Sequence, residues 1–162
     1  MSAPPFIDSL DFAKNRSQLS GELRVADLSR LSDVLESSAG VLRYTLQGGI
    51  NALGVPYLTL TLAGNCRLQC QRCLSGLDFQ VDVENSVLLR TQAELDALED
   101  DDEEFDSILA ESNLDTQNLL EEELVLSLPI SPRHESCQAV AGQGLQKDVE
   151  HPFAALAKLK HP

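Results

Sequence analysis

Three stretches in the middle of the chain alternate apolar and polar residues with period two. In VLRYTLQG, residues 41–48, Leu42, Tyr44 and Leu46 alternate with Arg43, Thr45 and Gln47. In YLTLTLAG, residues 57–64, Leu58, Leu60 and Leu62 alternate with Thr59 and Thr61. In LDFQVDVE, residues 77–84, Leu77, Phe79, Val81 and Val83 alternate with Asp78, Gln80, Asp82 and Glu84. Successive side chains of a strand point to opposite faces, so this pattern predicts three half-buried strands. The polar alternate face points to an antiparallel sheet that is wet on one side. Gly48, Gly49, Asn51, Gly54 and Pro56 mark the first connection, and a cysteine-bearing stretch forms the tip of the second.

Around this sheet the period changes. Glu22 to Leu28 reads as a short strand. Leu28 to Ser37 reads as a short helix, with Leu28, Leu31, Val34 and Leu35 on one face and Gly40 as its stop. Residues 1–21 are mixed, and loose structure is expected there. Phe105 to Leu109 suits a short strand. Asp115 can cap a helix near 116–128, with Leu120, Leu124 and Leu128 at steps of four and Pro129 ending it. LVLSL (124–128) also fits period two as a strand, and its length favours the helix. The closing HPFAALAKLK places Phe153, Leu156 and Leu159 on one side of a helical turn or two, too short to be stable undocked. The fold class expected is α+β: an antiparallel β-sheet, the amphipathic helix, and a Cys-bearing loop at a strand tip.

The length of 162 residues suits a single domain spanning 1–162. A chain of this size buries roughly 70% of its unfolded surface and needs no staples. The net charge of -14 is localised: the 42 residues from 91 to 132 contain no Lys or Arg and hold 14 of the 26 acids. The remainder is neutral. Within this stretch, 91–104 reads as an acidic insert or linker. Such a balance disfavours broad phosphate-backbone binding and suits a basic protein partner. No apolar run approaches the roughly 18 residues of a membrane helix, and no secretory signal is visible at the start. A cytoplasmic setting, where thiols stay reduced, is the expectation.

That setting makes CRLQCQRC, residues 66–73, the most informative stretch. Its C-x3-C-x2-C spacing matches the cluster-binding spacing of radical-SAM enzymes, but those need a parallel α/β barrel that these alternating strands do not form. A thioredoxin-like redox pair would need a βαβ setting, which is also not visible. Tetrahedral zinc takes four ligands, and a C-x2-C turn supplies two of them, Cys70 and Cys73. The distant cluster in PRHESC offers His134 and Cys137, completing a Cys3His site, with Cys66 as the competing ligand in place of His134. Four free thiols with no ion is the remaining alternative. Arg67, Arg72 and Arg133 flank these clusters. They could offset thiolate charge or make a small basic spot for a partner's phosphate or carboxylate. There is no glycine-rich phosphate loop, no G-x-S-x-G and no H-E-x-x-H, and the many carboxylates lack an apolar setting for acid–base work.

Three segments taken in order carry a resemblance: LQCQRCLSGLDFQV, LLEEELVLSLPISPRHESC and HPFAALAKLK. Together they resemble the YceD family of bacteria, over the second half of the chain and the strand before it. The resemblance implies a cytoplasmic protein needed for accumulation of large-subunit ribosomal RNA, in a family often encoded beside a large-subunit ribosomal protein. By motif, Cys70, Cys73 and Cys137 match the family's cysteines and His134 its histidine, whereas Cys66 matches nothing. The function expected is a non-enzymatic factor in ribosome biogenesis that supports 23S rRNA accumulation by binding a large-subunit ribosomal protein or a pre-ribosomal particle. The alternatives are a factor that binds or processes precursor rRNA directly, and a thiol redox protein.

Overall fold

A computed structural model describes residues 5–98 and 105–140. The acids at 99–104 and the closing HPFAALAKLK lie outside the described residues. In chain order the elements are β1 (Phe6–Ile7), α1 (Ser9–Lys14), β2 (Gln18–Arg24), β3 (Leu35–Ser37), β4 (Val41–Ile50), β5 (Pro56–Gln69), β6 (Gly76–Arg90), α2 (Gln92–Asp96), β7 (Ser107–Leu109), β8 (Leu114–Asp115) and α3 (Thr116–Ser127). Two single 3-10 turns, Val25–Asp27 and Ser29–Leu31, sit between β2 and β3.

The main sheet runs β2-β4-β5-β6-β7, with β3 paired to part of β5. Every pairing in it is antiparallel except β6 with β7, which is parallel. The α+β architecture is therefore as the alternation indicates. The polar partners are exposed or half-buried. Inward positions Leu42, Tyr44 and Leu46, Leu58, Leu60 and Leu62, and Val81, Val87 and Leu89 form the core with Leu119, Leu120 and Leu124 of α3. Full burial of one such Leu contributes on the order of 2 kcal/mol. Gly48 lets α1 lie against β4, since a Cβ there would come 2.5 Å from the Phe12 carbonyl oxygen.

The strands are longer than the alternation suggested. β5 and β6 form a hairpin of 14 and 15 residues, in register from Tyr57↔Leu88 to Gln69↔Gly76. Gly64 interrupts the apolar pattern, but it does not end β5. Its φ of +153 and its approach to Leu42 suit a residue without Cβ. Cys66 therefore lies within the strand, and only Cys70 and Cys73 belong to the tip.

Other expectations need correction. Among the described residues, regular structure is present from Phe6 on, in place of the loose structure expected up to residue 21, and the early strand is Gln18–Arg24. The helix expected from Leu28 to Ser37 is absent. Its apolar residues are buried or half-buried by the 3-10 turns and by β3, which finds backbone partners on β5 at Leu68 and Arg67. Tertiary pairing overrides the local helical spacing here. Part of the expected acidic linker is the short helix α2, started by a capping box in which Thr91 and Glu94 satisfy each other's backbone N–H groups.

α3 forms where the steps of four placed it. Asp115 caps it by accepting the Asn118 N–H, and Leu128, preceding Pro129, turns extended. Two of its glutamates face inward. Glu121 accepts the Arg30 backbone N–H at 2.6 Å, and Glu123 accepts from the Asn85 side chain at 2.8 Å. Each buried carboxylate thus has a partner that fixes α3 against the sheet and the preceding turn. None of the described helices is long and apolar enough to cross a membrane.

Candidate metal centre

The β5–β6 hairpin closes through residues 70–75. The Cys70 N–H bonds to the Ser75 carbonyl at 2.9 Å, and the Leu74 N–H bonds back to the Cys70 carbonyl at 2.9 Å. Leu74 takes a left-handed conformation, with φ of 63, to make this turn. α3 ends at the same end of the molecule, where Pro129 and the buried Pro132 steer the following loop across the tip. Main-chain bonds hold it there: Gln71 N–H to the Pro132 carbonyl at 2.8 Å, and Val140 N–H to the Arg72 carbonyl at 3.2 Å.

This crossing brings Cys70, Cys73, His134 and Cys137 together. Their ligand atoms all lie within 4.8 Å of one another, so the set could hold a metal ion. The Cys70 and Cys137 Sγ atoms are 3.7 Å apart, and Cys73 Sγ is 3.3 Å from His134 Nδ1. A tetrahedron with Zn–S bonds of about 2.3 Å has an S–S edge of about 3.8 Å, so the sulfur spacing suits one shared ion. The imidazole is oriented from behind: Nε2 lies 3.0 Å from the Gly76 carbonyl oxygen. A carbonyl only accepts, so Nε2 carries the proton and Nδ1 offers its lone pair to the cluster.

The electrostatics agree with a cation-binding role. The Cys73 backbone N–H, aimed at the Cys70 sulfur, is the main cause that holds that thiol down at about 5. The Ser75 hydroxyl, 3.0 Å from Cys73 Sγ, lowers the Cys73 thiol. Arg72 pulls the Cys137 thiol down, but burial and the neighbouring sulfurs outweigh it and leave it raised. The Cys70 and Cys73 sulfurs raise the His134 imidazole. The cluster thus favours positive charge at its centre. Cys70 is fully buried, and the other three are half-buried.

Cys66, the competing ligand, is 4% exposed within the hydrophobic core and is not part of this group. The three arginines do not form one basic spot. Arg67 reaches Glu36 at 3.1 Å and Asp78 at 3.8 Å. Its guanidinium also covers Gly76, where a Cβ would collide with it. Arg72 donates to Cys137 Sγ at 3.0 Å and to the His134 carbonyl at 2.8 Å. Arg133 is exposed and donates to Ser131 Oγ at 3.2 Å. Ser75 and Gly76, which contact Cys73 and His134 at the candidate site, are positions that the cysteine spacing did not reveal. Their only sequence signal is a turn-forming pair directly after the C-x2-C.

A family model described as the large ribosomal RNA subunit accumulation protein YceD matches residues 58–160, more than half of the chain. The match takes in β5 from Leu58 on, β6, α3 and all four residues of the cluster. No match is found among curated proteins or among solved structures.

Proposed function

The chain belongs to the YceD family, and from that premise we propose that it is a non-enzymatic factor of ribosome biogenesis acting in the bacterial cytoplasm. In this reading it supports accumulation of large-subunit (23S) rRNA by binding a large-subunit ribosomal protein or an assembly intermediate. The contact surface is the hairpin tip together with the loop from Pro132 to Val140, pinned into one unit by zinc. Three thiolates and an imidazole at tetrahedral spacing favour zinc over magnesium or calcium, which take oxygen ligands.

The observation that carries the reading is the meeting of these two remote segments at one donor set, near the exposed Leu74, Ile130 and Val140. Charge favours a protein partner over bare RNA. Two of the three arginines near the tip are engaged, Arg67 by carboxylates and Arg72 by the cluster, while the chain carries a net charge of -14. A polyanion needs free cations on its partner, whereas a basic ribosomal protein does not.

Affinity capture of the tagged protein from a gentle lysate, with and without RNase, tests this. A ribosomal protein that stays bound after RNase supports the reading. Precursor rRNA that disappears with RNase, accompanied by no protein, replaces it with direct RNA binding.

A further inference from the structure

We propose that Arg72 is a positioning residue for the metal centre, setting how tightly Cys137 and its loop are held on the ion. The proposal rests on the zinc reading above. Arg72 lies between the two ligands of the C-x2-C turn, and its side chain reaches across to the other segment. Nε meets Cys137 Sγ at 3.0 Å, and Nη2 meets the His134 carbonyl oxygen at 2.8 Å. Its own carbonyl accepts the Val140 N–H at 3.2 Å. One residue of the hairpin therefore grips the far loop at both residues that supply its donor atoms and again at Val140.

The charge balance explains why an arginine suits this place. Zinc with three thiolates and a neutral imidazole carries a net negative charge, and the site is only partly open to water. A guanidinium beside the Cys137 sulfur cancels that excess. Its planar fork serves sulfur and carbonyl together, which a lysine ammonium does not reproduce. Cys70 has backbone support from the knuckle itself, and Cys73 has Ser75 beside it. Among the described residues, the cationic side chain that donates to Cys137 Sγ is Arg72, and Cys137 has no knuckle backbone or Ser75 hydroxyl beside it as the other two thiols do. Weakening Arg72 thus frees the loop ligand first.

The test compares wild type with Arg72→Gln, which keeps N–H donors but loses the charge, and Arg72→Lys, which keeps the charge but loses the fork. Zinc content of the wild type is measured first. A wild-type protein that neither holds nor takes up zinc overturns the metal reading, and this inference with it. Given bound zinc, transfer to a chromophoric chelator is followed, and the first thiol to be alkylated is identified by mass spectrometry. Loss of such an outer partner weakens metal binding by about ten- to a hundredfold. Zinc should leave Arg72→Gln faster by that order, with Arg72→Lys between and Cys137 labelled first. Wild-type release rates in both variants overturn the role of Arg72 while leaving the metal centre standing. If Arg72→Gln does not fold, Arg72→Lys alone decides: a wild-type rate in it counts against the proposal.

Discussion

Cys66 and Cys70 stand four residues apart in β5 and its tip, on the same face, yet they do different things. The even positions Leu58, Leu60, Leu62, Cys66 and Leu68 all point inward, and Cys66 is simply one of them. The C-x3-C-x2-C spacing groups Cys66 with the tip cysteines, whereas its place in the inward row of a strand that runs on past Gly64 puts it in the core. Cys70 continues the same inward row and joins the candidate donor set because the chain turns immediately after it. Replacing Cys66 with Ser should leave metal content unchanged and lower stability by about 1–3 kcal/mol, the cost of a core hydroxyl without a partner. Elemental analysis and urea unfolding of the same preparation check both halves. Loss of metal in Cys66→Ser with the fold intact would mean that the ligand set is misassigned.

At the scale of elements, what the sequence showed depended on whether local pattern and tertiary context agreed. The sheet strands and α3 agree: strict alternation, a capping Asp115 and a terminating Pro129 all point the same way. The Leu28 to Ser37 stretch disagrees. Its apolar spacing suits a helix, but β5 extends beyond β4 and leaves backbone groups at Arg67 and Leu68 that β3 pairs with. That vacancy exists only in the folded sheet, so no local signal announces it. The start of α2 was legible in principle, since T-x-x-E at 91–94 is a capping-box sequence. The Thr91 backbone N–H and then its hydroxyl hold the Glu94 carboxyl below its ordinary range. A depressed carboxyl stabilises the fold above its unfolded pKa, near 4.3, and that contribution is lost as pH falls through the lower folded value. An NMR titration should find Glu94 protonating below the ordinary glutamate value, with Thr91→Val, which keeps the backbone N–H and loses the hydroxyl, raising it only in part. A Glu94 midpoint at the ordinary glutamate value would mean that the cap does not form in solution.

At the scale of the whole molecule, the fold is a device for bringing two distant clusters to one end. The long β5–β6 hairpin carries Cys70 and Cys73 outward, and α3 returns the chain to the same end, where Pro132 seats the loop bearing His134 and Cys137. The sequence made the donor set legible as two short clusters. It could not fix the choice between Cys66 and His134, because that choice depends on where β5 ends and on the Gly76 carbonyl behind the imidazole. Nor could it show that Arg67 and Arg72 are engaged by groups remote in sequence, Glu36 for one and Cys137 for the other. In the proposed reading, these pairings favour a protein partner over RNA. The most direct measurement is the ratio of 23S to 16S rRNA in cells lacking this protein and supplied with either the wild type or a Cys73→Ser, His134→Ala double variant. Both supplied proteins would be verified as folded and equally abundant. The account predicts that the wild type restores 23S rRNA and the double variant does not. Full restoration by the double variant would contradict the claim that this centre carries the protein's role.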